Sequence, residues 1–325
     1  MKTFIEVCSG CGGLSSGLIQ SGFTPILLNE KNKLCCETLI KNHPNVMIDN
    51  NDMSKLDAKV YKGQVDLLAG GVPCQSYSQA GSRKGLDDPR GQLIFDFNRI
   101  LKECEPKMFL IENVKGLLNH KKGETFTSIK DLLSNQGLYN VYHKVLNAYD
   151  YEVPQKRERI FIVGVRRDIN KVYQFPQKSD NHKVLQDILL DVPDSDGAQY
   201  SDYKKSFMEL IPPGGCWIDL PEDKQLEYMG QRMLDSGGGK RGVLRRLALD
   251  EPSLTILTTP TQKQTERCHP TEIRPFTVRE SARIQTFSDD FQFCGGLATQ
   301  YKQIGNAVPV RLAYFVGRSI LECLE

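Results

Sequence analysis

Short apolar runs alternate with longer amphipathic ones through the first half of the chain. Phe4-Ile5-Glu6-Val7 reads as a first strand, followed by a glycine-rich turn and a helix through Leu14, Gly17, Leu18 and Ile19. Pro25-Ile26-Leu27-Leu28 reads as a second strand ending at Asn29-Glu30, and Leu34, Glu37, Leu39 and Ile40 mark the helix after it. Val46-Met47-Ile48 gives a short third strand. Val65 to Ala69 and Met108 to Ile111 give two more, with a helix near Leu93 to Leu101 between them. Brief apolar runs alternating with helices predict a doubly wound α/β sheet, mostly parallel. Val141 to Leu146 and Arg159 to Val165 lie close in sequence, which suits an antiparallel addition at one edge.

After about Arg166 this rhythm fails. Pro176, Pro193, Pro212-Pro213, Pro221, Pro252, Pro260 and Pro270 punctuate the chain, with Gly214-Gly215 and Gly237-Gly238-Gly239 between them. That pattern predicts a smaller, loop-rich domain. Helical spacing returns near Val278 to Ile284 and over Leu312 to Leu324, which is expected to pack back on the first domain. The predicted division is 1–171, 172–270 and 271–325.

Length adds that 325 residues suffice for a substantial core or two domains. A composition 39% hydrophobic and 25% charged suits a soluble globular protein. Neither a signal peptide nor a run long enough to span a bilayer is visible, so a cytoplasmic or nuclear location away from membranes is expected. Net charge is only +2, so any basic footprint for nucleic acid must be local. The ten cysteines are scattered, which predicts free thiols, mostly in the core. Cys8-Ser9-Gly10-Cys11 has CxxC spacing, but no second pair completes a site and no metal is expected.

Chemistry concentrates where strands end. Gly70-Gly71-Val72-Pro73-Cys74-Gln75-Ser76 stops the fourth strand abruptly and sets Cys74 on a turn at the strand's C-terminal edge, where open α/β sheets place ligands. An electropositive setting would make that thiol a thiolate nucleophile. Gly10, Gly12 and Gly13 lie in a turn where backbone can approach a ligand. Glu30 ends the second strand, where an acid can bind a ribose diol, and Asp52 follows the third. Glu112 and Asn113 follow the fifth. In Gln155-Lys156-Arg157-Glu158-Arg159 a period of two puts Gln155, Arg157 and Arg159 on one face. Taken singly, each feature also fits a plainer reading: a tight turn with solvated acids, a buried turn cysteine, a charged edge strand.

Taken together and in order, with Gln303-Ile304-Gly305-Asn306-Ala307-Val308-Pro309, these segments resemble DNA (cytosine-5)-methyltransferases from Phe4 to Val310. The compact form is similar to bacterial enzymes of restriction–modification systems, which implies a cytoplasmic location. The resemblance implies a Rossmann-like S-adenosylmethionine-dependent methyltransferase fold with a loop-rich target-recognition domain at 172–270. It implies methyl transfer to carbon 5 of a cytosine flipped out of duplex DNA, with S-adenosyl-L-homocysteine as product. Cys74 would add to the ring at carbon 6, and Glu112 and Arg159 would hold the base while Arg157 supports the loop. Cofactor residues would be Cys8, Gly10, Cys11, Gly12, Gly13, Glu30, Lys31, Asp52, Met53, Gly71, Pro73, Leu93, Asn306 and Val308. Two of these depart from the family: Cys8 and Lys31 stand where aromatic residues usually line the adenine. A roomier adenine pocket and weaker cofactor binding are expected.

For DNA, Ser76, Ser78, Arg83 and Lys84 lie in a polar, glycine-bearing stretch after Cys74 that suits a lid gripping phosphates. Lys240, Arg241, Arg245, Arg246, Thr259, Gln262, Lys263, Gln264, Arg267 and His269 are of types that read base edges. The expected partner is duplex DNA, acted on by a monomer, with a cognate restriction endonuclease that need not bind. The rivals are a tRNA-directed member of the same family, a catalytically silent DNA-binding protein and, more distantly, a nicotinamide dehydrogenase.

Overall fold

The computed structural model describes residues 1–72, 92–231, 241–263 and 265–325. Its strands are β1 (Lys2–Val7), β2 (Phe23–Asn29), β3 (Met47–Asp49), β4 (Leu67–Gly70), β5 (Met108–Val114), β6 (Tyr139–Asn147), β7 (Gln155–Lys156), β8 (Glu158–Arg166) and β9 (Ser253–Leu254). The helices used below are α1 (Gly13–Ser21), α2 (Lys33–Asn42), α3 (Leu93–Cys104), α4 (Glu124–Leu133), α5 (Asp202–Met208), α6 (Glu222–Met229), α7 (Val278–Ile284), α8 (Leu297–Asn306) and α9 (Val310–Leu324).

Seven strands form one sheet in the order β3-β2-β1-β4-β5-β8-β6. The first five are parallel, and β8 pairs antiparallel with both β5 and β6. The antiparallel addition expected from the sequence is therefore present. Strand order reverses between β1 and β4, and such a switch point opens a crevice at the strands' C-terminal ends.

Both faces of the sheet are covered, because neighbouring strand residues point opposite ways. Phe4, Leu67, Ala69, Met108, Leu110, Phe161 and Val163 join Leu14, Leu18, Leu312, Val316 and Ile320 of α1 and α9 on one side. Ile5, Val7, Leu68, Phe109, Ile111, Ile160 and Ile162 join Phe97, Ile100, Leu101, Ile129 and Leu133 of α3 and α4 on the other. α1 and α9 approach closely at Gly17, where a Cβ would lie 2.4 Å from Ala313 Cβ and 2.4 Å from the Val310 carbonyl. Two further apolar clusters lie outside the sheet. One joins Leu185, Leu247 and Ile256 to α7, α8 and Val310; the other runs from Tyr200 to Cys268 around Trp217, with α5 and α6.

Two elements differ from the sequence reading. β5 does not stop at Ile111: pairing of Glu112 with Phe161 and Val114 with Arg159 carries it on, so Glu112 and Asn113 are strand residues. Gly305-Asn306-Ala307-Val308-Pro309 reads from the sequence as a turn back to the main domain, but Asn306 closes α8 and the chain breaks only over Ala307-Val308-Pro309 before α9. All nine described cysteines are free, and seven of them are buried. Among the described residues no helix is long and apolar enough to cross a membrane.

Candidate active site

A cleft of about 890 Å³ opens at the C-terminal ends of β1, β2, β4 and β5. Its first wall is the turn after β1. Cys8 (φ 54°) and Gly10 (φ 55°) adopt left-handed backbone, and a Cβ on Gly13 would lie 2.3 Å from the Val308 carbonyl. Glycine at 13 thus lets the turn pack on the 307–308 segment. Cys11 is buried, and its thiol donates to the Gln303 carbonyl at 3.4 Å. Gly12 starts α1 in left-handed backbone at φ 95°.

Glu30, at the end of β2, faces this turn. Its two carboxylate oxygens accept from Gly10 N and Asn32 N, each at 2.8 Å. Each oxygen keeps lone-pair capacity for a further donor. Asp52 accepts from Ser54 N at 3.0 Å and faces Lys31 Nζ at 3.6 Å. The Ser54 amide chiefly, with Lys31 helping, holds its carboxyl below the usual range. Cys8 Sγ lies 3.4 Å from Met53 Sδ, so a sulfur pair occupies the wall where aromatic residues are absent. Leu93, Asn306 and Val308 complete this part of the cleft.

Sequence reasoning missed Glu6. It is 1% exposed, lines the cleft, and leaves Oε2 without a hydrogen-bond partner. Burial pushes its pKa up to about 8, with Glu30 adding to the rise and Ser15 opposing it. An acid inside an apolar β1 run was the available signal.

The second wall comes from β4, β5 and β8. Glu112 Oε1 pairs with Arg159 Nε at 3.0 Å, with 12% and 15% of the two side chains exposed. Burial raises the Glu112 pKa, while Arg159 and then Arg157 oppose the rise. Asn113 Nδ2 donates to the Val72 carbonyl at 2.7 Å, and a Cβ on Gly71 would lie 3.8 Å from Glu112 Oε2. The end of β4 is thereby held beside Glu112. Cys74 and Pro73 lie outside the described residues, as do Ser76, Ser78, Arg83, Lys84, Lys240 and Gln264.

Gln155 and Arg157 share one face as expected, but that face is internal. Arg157 is 2% exposed and donates to the Ile256, Gly305 and Ala307 carbonyls at 3.3, 2.9 and 3.0 Å. Burial lowers its pKa to about 9. Gln155 bonds Gln285 and Ile256 N, and Gln285, a second residue missed from the sequence, reaches the Ile304 and Ala307 carbonyls. A charged edge strand is thus excluded for Arg157, which ties β7 and β8 to the end of α8.

Several candidate base readers turn inward instead. Arg245 bonds the Gly214 carbonyl and Glu251, and Arg246 bonds the Pro270 and Ile211 carbonyls. His269 is 6% exposed and packs on Phe276 beside Glu280, while Arg274 takes the carboxylates of Glu272 and Glu280. Arg267 is half-buried and donates to the Glu266 carbonyl. Loops without a ladder leave carbonyls that need side-chain donors, and these arginines supply them. Arg241, Thr259, Gln262 and Lys263 stay exposed, Lys263 with its ammonium 4.7 Å from the Tyr228 ring.

S-adenosylmethionine carries a ribose diol, an amine cation and an adenine. The cleft offers a carboxylate with spare acceptors at Glu30, an orphaned carboxylate oxygen at Glu6 and an acid at Asp52, so its residues fit that group.

Comparison with known proteins agrees with this geometry. The chain is 47% identical to the type II methyltransferase M.Eco47II of Escherichia coli, covering 99% of this chain and 79% of that protein. It is 46% identical to M.Sau96I of Staphylococcus aureus, covering 98% and 76%. Among solved structures, a DNA modification methyltransferase described as putative, from an E. coli prophage, superposes with a TM-score of 0.74 at 24% identity, covering 100% of this chain and 99% of that one. A Spodoptera frugiperda DNMT2 mutant gives 0.72 at 16% identity, covering 99% and 100%, and shares the fold. The family model for C-5 cytosine-specific DNA methylases matches residues 2–322, and the chain belongs to that family.

Proposed function

We propose that this DNA cytosine-5 methyltransferase is the modification enzyme of a type II restriction–modification system, working as a monomer and protecting a specific duplex sequence from a companion nuclease. Its similarity to the type II methyltransferases M.Eco47II and M.Sau96I supports the type II part of that assignment. S-adenosylmethionine, when bound, supplies an electrophilic methyl group. Glu30 would accept from its ribose hydroxyls, Glu6 would face its amine, and Asp52 would accept from the adenine amine.

The target cytosine lies inside a duplex and must be flipped out to be reached. Its carbon 5 is a weak nucleophile. The Cys74 thiolate forms a bond to carbon 6, and the displaced ring electrons enrich carbon 5. Glu112 donates to ring N3 and accepts from the exocyclic amine, and Arg159 holds the ring oxygen. A carboxyl that donates must keep its proton, which its burial favours. After carbon 5 takes the methyl, it loses its proton to a base, the double bond re-forms and Cys74 leaves as thiolate. Segment 172–270 carries target recognition, with Arg241, Thr259, Gln262 and Lys263 as its exposed candidates.

The observation that carries this reading is the Glu112–Arg159 pair in one cleft with Glu30 and the Gly10 turn. Bisulfite sequencing of DNA treated with the protein tests it. Wild type is expected to protect cytosines in one short sequence, and Cys74→Ser to abolish transfer while retaining duplex binding. A duplex with 5-fluorocytosine at the target should trap wild type covalently. Normal turnover by the serine variant refutes the mechanism.

A further inference from the structure

Val114, the last residue of β5, lines the cleft, and the chain leaves it through short helical turns over Lys115–Gly123. Buried Leu117 holds this segment down. Lys115 Nζ reaches both oxygens of Glu158 at 3.0 Å and ties the segment to the start of β8, beside Arg157 and Arg159. The segment is thus fixed next to the Glu112 wall of the cleft.

Its far end is strained. Lys121 (φ 46°, ψ 47°) and Lys122 (φ 56°, ψ 27°) both have left-handed backbone, followed by Gly123 at φ 94°. Left-handed backbone is unfavourable for L residues with a Cβ and is usually left to glycine or asparagine. Such strain persists where surrounding structure imposes it, and it clusters at sites of function. Both lysines are exposed, and among the described residues neither makes an ion pair. The neighbouring His120 is engaged with Thr125 Oγ1 at 2.6 Å. A glycine pair would suit this backbone better but would carry no charge.

We propose that Lys121 and Lys122 clamp the DNA backbone at the Glu112 edge of the cleft, each ammonium meeting a phosphate. The clamp rests on the duplex-DNA reading above. It is indifferent to sequence, because phosphates are the same at every base pair. It adds contacts from the segment that follows β5 to those of the recognition segment.

The test compares wild type with K121G/K122G and K121R/K122R on a target duplex over a range of salt. Each lost phosphate contact removes about 0.9 from the slope of log K against log salt, so the glycine variant should lose about 1.8. At roughly 0.1 M salt that is close to tenfold weaker binding per contact. The glycine variant should keep its affinity for S-adenosylhomocysteine and its kcat at saturating DNA, with a raised KM for DNA. Its melting temperature should hold or rise as strain is relieved, whereas the arginine variant should keep the wild-type slope. An unchanged slope in the glycine variant, beside a wild type that binds and methylates duplex, overturns the clamp alone. Loss of the slope in the arginine variant overturns a charge-based clamp. A wild type that binds no duplex overturns the clamp and the proposed function together.

Discussion

Replacing Glu6 by glutamine should change how stability depends on pH. Glu6 is 1% exposed with Oε2 unpartnered, and burial lifts its pKa from 4.5 to about 8. In the unfolded chain it ionises near the ordinary value. Between the two values the folded protein holds a proton that the unfolded chain has lost, so rising pH favours unfolding. The contribution is fully present below about pH 4.5, declines through neutrality and is gone above about pH 8. At roughly 1.4 kcal/mol per pH unit, the whole swing is about 4–5 kcal/mol. Glutamine does not titrate. It brings its own amide-desolvation cost, but that offset is constant with pH. The informative quantity is therefore the difference between wild type and Glu6→Gln, followed by urea denaturation from pH 5 to pH 9. The variant should gain on wild type by roughly 1.4 kcal/mol per pH unit through the middle of this range, then level off. Parallel stability curves would show that Glu6 ionises over the same pH range in the folded and the unfolded chain, and would refute the reasoning.

Three other outcomes are expected. Arg157→Leu strands the Ile256, Gly305 and Ala307 carbonyls and should cost about 3 kcal/mol or more in a urea titration; an unshifted midpoint would mean that water replaces the guanidinium. Cys8→Phe adds a ring where Cys8 Sγ already touches Met53 Sδ, so it should cost about 1–3 kcal/mol as a lowered melting temperature, which Met53→Ala should recover together with tighter S-adenosylhomocysteine binding. Exchanging residues 172–270 for the matching segment of a relative with another target should move the methylated sequence without changing the chemistry; a folded chimera that keeps the original site would place recognition elsewhere.

The centre of the sheet was legible because β4, the start of β5 and most of β8 are buried on both faces and read as apolar runs. Its edges were not. Ile111 looked like an end because Glu112 and Asn113 are polar, yet β8 supplies pairing partners as far as Val114. Strand ends are set by the neighbouring strand, which local sequence does not contain. The helix Glu124–Leu133 was also unread, although Phe126, Ile129 and Leu133 form its buried stripe. Its Thr125, Thr127 and Ser128 favour turns as readily as helices, and packing against α3 decides the matter.

Charge was the harder signal to read. Arg157, Arg245, Arg246 and His269 look from sequence like groups awaiting a ligand, and three of them lie in a segment whose one named strand among the described residues is the two-residue β9. There the guanidinium acts as a portable donor: Arg246 joins Pro270 to Ile211, and Arg157 joins Ile256 to Gly305 and Ala307. Each fork satisfies acceptors from chain segments that share no backbone ladder, so these cations serve the fold. By the same accounting, a cation left exposed and without an ion pair is available to something outside the chain. Lys121 and Lys122 meet that description and hold unfavourable backbone as well. Arginine with carbonyl partners and lysine without partners thus separate two populations that composition treats as one. A net charge of +2 therefore does not by itself report how many cations remain free to meet a partner.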